Sequence, residues 1–575
     1  MFHVKNHKQH NIFDPWGHLG PKRRSELEDS WAGLFRQHIL VDLPVETLRK
    51  HYHDWNGRPT KELFSMIGLM ILQQMHDLTD EQAIEQFCFN IKWHYALNIT
   101  NPADSASYVS PKSLWSMRDK LISDGMYNEI FDSSLQTLAR IFQVDLQKQR
   151  MDSVHIKSNM RHLGRIGLFV KTIKKFLHNL KRQHRGLFDQ LDSSLTDRYL
   201  NKKSESIFSL VKPSESAQTL HQLADDMYLL IQRFTRVSRV SDMSSFKLLS
   251  RLFKEQCLIE ESESGQKAVA RPNKEVASDS LQNPSDADAG YSGHKGKGYQ
   301  AQVVENYSED DGQLSLLTYV AVESADRHDA NALLPALDDL QRREMAPQQL
   351  LADSLYGGDA NREQGRDQYG TEIVTPVMPG TQKKTPLAEF SFDEHGMITS
   401  CPLGVAPQRV RKKKGSFSAA FLVADCGVCP NRKECPVSQG KKAYYYRYKE
   451  KDIRIAGRRR YEQSSAFKAR YRFRAGVEAT MSEFDRRTGV KHLRVRGMRA
   501  VAFAVIMKAI GLNILRASRF RRRETAPKGP QCGILLRLRA VYCAIKDQYE
   551  RQMRTFAAIL EIFQSRVTKR PEFAV

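Results

Sequence analysis

The ten residues RMDSVHIKSN (150–159) form a short β-compatible run after a turn-like QKQ, with the acid Asp152 near their start. The chain on either side of this run has a different character. Before it, residues 22–145 read as helical. TKELFSMIGLMILQQMHDL sets Leu63, Met66, Ile67, Met70 and Ile71 at helical spacing, Asn56-Gly57-Arg58-Pro59 marks its approach, and Thr79 with Gln82 is a capping-box pair for the next helix. Further helices are expected over 111–124 and 126–142. After the run, residues 160–255 are helical and amphipathic, as in GLFVKTIKKFLHNLKRQHRGLFDQL. Residues 259–290 then lose apolar periodicity and fill with Ser, Asp, Glu, Asn and Pro, the composition of a flexible connector.

Strands resume at Tyr299–Glu305 and Leu314–Glu323, with Asp310-Asp311-Gly312 as the turn between them. Asp329 is expected to cap a helix over 330–343. A fourth strand, Gln349–Ala352, delivers Asp353 at its carboxyl end, and Glu372–Met378 is a fifth. Three strands, a helix, a strand, a helix and a strand make an α/β mixed sheet interrupted by insertions. At 575 residues the chain is too long for one core, and roughly 150 residues per domain predicts two to four units.

The apolar stretches Met66–Leu72 and Val501–Ile506 fall short of the roughly 20 residues that cross a bilayer. The N-terminal MFHVKNHKQHNIFDPW is polar and lacks a secretion signal's apolar middle, so a cytoplasmic protein without a membrane partner is expected. The net charge is +23, and residues 441–530, with 26 Lys and Arg against 7 Asp and Glu, hold +19 of it. Runs such as KHLRVRGMR (491–499) are interleaved with apolar residues, which describes a folded basic surface suited to a phosphate backbone. No GxxxxGK[ST] motif occurs, so no nucleotide cofactor is expected.

Asp152, Asp353 in LLADSLYGG (350–358) and Glu478 in YRFRAGVEATMSEF (471–484) stand at strand ends or on a helix within the basic region. Taken singly, each is an ordinary surface acid. Together they match the needs of hard divalent cations, which take carboxylate oxygens, and of a two-ion site that cleaves phosphodiesters. Tyr471, Arg474 and Glu478, at i, i+3 and i+7, share one face of a helix, and for Arg474 the competing role is an ion pair with an acid on that helix.

These motifs resemble the DDE transposases of bacterial insertion sequences. RMDSVHIKSN and LLADSLYGG look like the segments carrying that family's first and second catalytic Asp, and YRFRAGVEATMSEF like its Y-x2-R-x3-E-x6-K signature, met here by Tyr471, Arg474 and Glu478. GRPTKELFSMIGLMILQQMHDLTDEQAIEQF (57–87) looks like the helical domain that precedes the core. The signature Lys falls on Asp485, with Arg486 and Arg487 following.

The resemblance implies a ribonuclease H-like catalytic core behind a helical N-terminal domain. It also implies Mg²⁺ or Mn²⁺, as two ions on Asp152, Asp353 and Glu478. The DNA contacts would be Tyr471, Arg474, Arg486, Arg487, Lys491, Arg494 and Arg496, with Lys295 and Lys297 of SGHKGKGYQ as candidate phosphate contacts. The implied partner is double-stranded DNA, as element ends and as target, engaged by a homodimer or higher oligomer associated with the nucleoid. The competing readings are a non-catalytic or decayed DNA binder, and a nuclease of the same core without strand transfer.

Cys401, Cys426, Cys429 and Cys435 crowd into 35 residues, one pair with C-x2-C spacing, which predicts a structural Zn²⁺ site; reduced buried thiols, or a site that has lost its metal, are the alternative. The expected organisation is therefore as follows: 1–145 helical DNA-binding domain; 146–160 and 290–385 core; 161–289 helical insertion and flexible connector; 386–445 Cys-rich insertion; 446–525 core helices with Glu478 and the basic surface; 526–575 C-terminal helical tail.

Overall fold

A computed structural model of the chain describes residues 1–9, 14–57, 59–201, 208, 210–262, 265–310, 312–378 and 386–525. The tail expected over 526–575 lies outside the described residues. In chain order the strands are β1 (Lys148–Ile156), the hairpin β2 (Cys257–Ser262) and β3 (Gly265–Ala270), β4 (Gly290–Ser292), β5 (Gly296–Asn306), β6 (Leu317–Ser324), β7 (Gln349–Leu351) and β8 (Glu372–Val374). The Cys-rich segment adds β9 (Ser391–Phe392), β10 (Ile398–Ser400), β11 (Arg409–Lys413), β12 (Ser416–Phe421), β13 (Ser438–Gln439) and β14 (Tyr444–Lys449).

β1 is the hinge of the main sheet. On one side it pairs antiparallel with β5, from Gln149↔Asn306 to Ile156↔Tyr299, and β5 pairs antiparallel with β6. On the other side it runs parallel to β7, which runs parallel to β8. The order across the sheet is thus β6-β5-β1-β7-β8, with β4 also on β5. From Gly298 to Asn306 every residue of β5 is buried, as a strand covered on both faces must be. The helix Leu333–Arg342 crosses from β6 to β7, and Asp359–Tyr369 from β7 to β8. Asp329 does not cap the first of these: His328 caps the 3-10 turn Asp329–Asn331, and the Asp329 carboxylate is taken up by Gln302 and Ser153 instead.

The boundary read at 145 is not a packing boundary. Buried residues of the N-terminal helices (Leu63, Ile67, Met70, Leu135), of the sheet (Met151, Val303, Leu350) and of the long helix Met498–Thr525 (Val501, Met507, Ile510) form one hydrophobic core. Gly511 permits the contact, since a Cβ there would lie 2.6 Å from Met75 Cβ. Asn513 fastens the same helix to β6, its amide accepting from Leu317 N at 2.8 Å and donating to Leu317 O at 2.9 Å. By length and composition this helix could cross a membrane, although the apolar runs read from sequence were shorter, but 72% of its most apolar window is buried in the protein. Thr79 and Gln82 do form a capping box on the helix Asp80–Phe89.

Residues 165–281 carry their own core, built from Phe169, Phe176 and Leu177 of the helix Arg165–Gln183 against Leu223, Leu249 and Phe253 of later helices. The described residues of the stretch expected to be a flexible connector are structured. β2 and β3 pair from Cys257↔Ala270 to Ser262↔Gly265, and Leu281, Asn283 and Asp286 are buried. Its polar residues work inward: Asp286 accepts from Ser158 Oγ at 2.5 Å and from Gly497 N at 3.1 Å, and also from Tyr299. Side-chain hydrogen bonds rather than apolar periodicity fix this segment, so its composition read as disorder.

Candidate active site

Lys148↔Gln349, Gln149↔Leu350 and Arg150↔Leu351 pair β1 with β7 in parallel. Two residues past the end of β7 the chain turns at Asp353, which the same offset brings towards Asp152 of β1, close enough for its charge to act on it. The two carboxylates sense each other. Burial raises the Asp152 pKa above its ordinary value, Arg474 opposes that shift, and the charge of Asp353 adds to it. Asp353 is steadied by its own turn, its Oδ1 accepting from Leu355 N at 2.6 Å.

Glu478 arrives from the far end of the chain. The single helix expected through Tyr471, Arg474 and Glu478 is interrupted: Ser465–Tyr471 is α-helical, Arg472–Ala475 is a 3-10 turn, and Gly476–Thr488 resumes the α-helix. The turn aims Arg474 at both acids. Its Nη1 donates to Glu478 Oε1 at 2.8 Å and its Nη2 to Asp152 Oδ2 at 2.9 Å. The ion pair weighed against a DNA contact for Arg474 is therefore present, and it includes an acid from β1. Glu478 is 69% exposed, whereas Asp152 is 19% exposed.

Tyr471 is not free to meet a phosphate. Its hydroxyl donates to Ala352 O at 3.2 Å, one residue before Asp353, and its ring stacks on Phe467 with centroids 5.2 Å apart. Burial first, then Asp353 and Asp152 against the opposing Arg474, push its pKa up to about 12.

What joins the helix Gly476–Thr488 to the sheet is a group the sequence reading passed over. Glu305, on β5, has a fully buried carboxylate that accepts from Arg150 Nε at 2.7 Å, Thr480 Oγ1 at 2.7 Å and Arg516 Nη1 at 2.9 Å. Arg150 Nη1 also donates to Phe473 O at 2.6 Å. A buried acid without partners is costly, so an acid inside an apolar strand was the available signal.

The other predicted contacts divide. Lys295 Nζ lies 2.8 Å from Ser153 Oγ and 3.7 Å from Asp329 Oδ2, beside the acids. Lys297 Nζ instead donates to Leu163 O at 2.8 Å. His155 is half-buried, its pKa pushed down by burial and by Lys295 and Lys157. Arg486, Arg487 and Arg496 are exposed, while Arg494, also exposed, pairs with Asp77 at 2.7 Å. Lys491 Nζ sits 3.9 Å from Asp485 Oδ2, and Asp485 Oδ1 accepts from Lys491 N at 3.1 Å. A lysine from the following loop thus stands beside the position where the signature's Lys was replaced. That loop is held to β1 by Lys157 N donating to Lys491 O at 2.8 Å.

Asp152 and Asp353 offer oxygen donors in mutual repulsion, a set that a hard divalent cation fits. Among the described residues, however, no three His, Cys, Asp or Glu stand in a metal-holding arrangement, and the cation between Asp152 and Glu478 is Arg474. The same holds for the cysteines. Cys401, Cys426, Cys429 and Cys435 line one cavity of about 30 Å³ with Phe390, Phe421 and Val437. Burial and the three neighbouring thiols push the Cys426 thiol up to about 11.

Residues 400–517 match the family described as Transposase DDE domain, a span that includes Glu478 but neither Asp152 nor Asp353. Residues 32–120 match the family described as Transposase domain (DUF772). No curated protein and no solved structure matches the chain.

Proposed function

We propose that this chain, two segments of which match transposase families, is an insertion-sequence DDE transposase that binds the duplex ends of its element and catalyses metal-dependent cleavage and strand transfer from a ribonuclease H-like core. Supporting that core is the sheet β6-β5-β1-β7-β8, antiparallel through β1 and parallel after it, in which the fourth strand to join lies beside the first. The observation that carries the reading is the parallel pairing of β1 with β7, which brings Asp353 near enough to act on Asp152, combined with the Arg474 bridge that ties Glu478 to Asp152.

Asp152 and Asp353 would hold Mg²⁺ or Mn²⁺ between them, and Glu478 would complete the set. Two such ions supply activation of a water or 3′-hydroxyl and stabilisation of the leaving oxygen. The protein's own groups do the positioning. Glu305 and Arg150 fix the helix of Glu478 to the sheet, Tyr471 ties the end of β7, and Arg474 presents a fork that suits phosphate as well as carboxylate. Lys491 takes the role of the signature's missing Lys. The four cysteines, which share one cavity without standing as a ligand set, would hold a structural zinc ion by closing on it.

The test incubates the full chain with end-sequence duplex, supercoiled target and Mg²⁺ or Mn²⁺, scoring cleavage and joining. Expected are nicks at the element boundary and joined products, both lost in Asp152→Asn. Binding without cleavage in either metal would overturn the enzymatic reading and leave the DNA binder.

A further inference from the structure

β12 pairs with β11 on one side and β14 on the other, so that three rungs cross the sheet: Arg409–Ala420–Tyr445, Arg411–Ser418–Arg447 and Lys413–Ser416–Lys449. Strand alternation puts these nine residues on one face. The opposite face sends Phe417, Ala419, Phe421, Tyr444, Tyr446 and Tyr448 into a small core. The outward face is a groove of about 900 Å³ with a floor of small residues, Ser416, Ser418 and Ala420, between walls of long cations. At about 4.8 Å per strand the walls stand about 9.6 Å apart, and cations on alternate residues advance about 6.7 Å along each wall. That step is close to the axial rise of two nucleotides in a duplex strand, about 6.8 Å.

The charge of the groove is uncompensated. Among the described residues no carboxylate pairs with Arg409, Arg411, Lys413, Lys442, Arg447 or Lys449, and the one acid lining the groove, Asp452, accepts from Lys449 N at 2.8 Å as a helix cap. Two cations that do not line it are neutralised: Lys412 pairs with Glu450 at 3.1 Å and Arg458 with Asp359 at 3.1 Å. Six like charges around one floor repel one another unless a polyanion joins them. A small floor leaves room for a sugar-phosphate chain, while of the three rings that line it Phe417 and Tyr448 are buried and Tyr445 is partly exposed.

We infer that this groove binds the phosphodiester backbone of duplex DNA, one strand lying along β12 between the two cationic walls. The site is separate from the acids of the main sheet and from the 441–530 run for half of its charge, and it rests on the reading that the chain acts on DNA. As a backbone contact it carries grip without sequence preference.

The experiment measures binding of the full chain to labelled end-sequence duplex and to a scrambled duplex of equal length between about 50 and 200 mM salt. The combined variant Arg409→Ala, Arg411→Ala, Arg447→Ala, Lys449→Ala should flatten the slope of log affinity against log salt by about 3 to 4, equally on both duplexes. Arg409→Lys, Arg411→Lys, Arg447→Lys, Lys449→Arg, which keeps the charge, should restore it. Hydroxyl-radical footprinting of the unaltered chain should show DNA protecting 409–418 and 444–449, a readout independent of how the variants fold. An unchanged slope in the alanine variant, or absent protection, overturns the inference while leaving the transposase reading intact. An unaltered chain that binds no duplex overturns both.

Discussion

Arg474 donates to Asp152 at 2.9 Å across 322 residues of chain, and the same guanidinium donates to Glu478 at 2.8 Å. One cation therefore does for the two acids what divalent ions would do on the proposed function, and the two would compete. Arg474→Ala removes a phosphate donor and also a rival for the carboxylates. The expected outcome is a cleavage rate lowered roughly 10- to 100-fold, the worth of a charged hydrogen bond, together with a fall in the Mg²⁺ concentration giving half-maximal rate. A Mg²⁺ requirement that rises with the loss of rate would show that Arg474 supports ion binding instead of opposing it.

Glu478→Gln keeps shape and removes charge. Cleavage should be abolished with duplex affinity nearly unchanged, because Glu478 is an exposed acid in a basic surface and, among the described residues, is tied to the sheet through Arg474. Equal loss of cleavage and binding would count against a catalytic role.

Gly476 begins the helix of Glu478, and a Cβ there would lie 2.0 Å from Arg150 Nη1. That guanidinium links Glu305 to Phe473 O, so an added methyl must push the link apart. Gly476→Ala should cost about 1–3 kcal/mol in thermal unfolding and reduce cleavage by displacing Glu478 from Asp152. Unaltered melting and rate would mean that the Arg150 contact is dispensable.

Asp77, in the N-terminal region, accepts from Arg494 at 2.7 Å and from the buried Lys508 at 2.8 Å. Burial would raise its pKa, but those two cations outweigh it and hold the carboxyl below its ordinary value of 3.8. A depressed folded-state pKa contributes stability that is present above the ordinary value and lost as pH falls through the folded one. Asp77→Asn should thus lower stability at neutral pH by about 1–3 kcal/mol, since Lys508 is left buried without its carboxylate. The gap from the unaltered chain should close under acid, and urea unfolding at several pH values measures it; a pH-independent gap would place the effect in packing.

The parts of this molecule legible in its sequence are those whose signal is local. The β-run around Asp152, the strand ending at Asp353 and the Thr79 cap each depend on residues within a few positions, and each stands close to where its pattern put it. What stayed hidden depends on partners hundreds of residues away. Glu305 is an unremarked acid until Arg150 and Arg516 meet it, and nothing near residue 145 reveals that the N-terminal helices share a core with the helix Met498–Thr525. For that reason deletion of 1–145, a natural way to separate end recognition from general binding, would strip the cover from Val501, Met507 and Ile510 and cannot be interpreted. The connector at 259–290 misled for a related reason, because Asp286 and Asn283 are polar residues facing inward.

The four cysteines offer a prediction with two readouts. They line a single cavity of about 30 Å³, walled on its apolar side by Phe390, Phe421 and Val437, and Phe421 ends the strand whose outward face floors the cationic groove. Zinc bound there would take thiolates, so loading must displace protons from thiols, of which burial and the neighbouring thiols push Cys426 up to about 11 and Cys435 above its ordinary value. Metal analysis should find about one zinc per chain, with affinity falling as pH falls because more protons must leave. Cys426→Ser should lose that zinc, lower the melting temperature and weaken salt-sensitive DNA binding, since the sheet carrying Arg411 and Arg447 rests on the same small core. A chain that holds no zinc, and whose melting is unmoved by Cys426→Ser, would make these four residues reduced thiols of an apolar core and leave the groove to stand on Phe417, Tyr446 and Tyr448 alone.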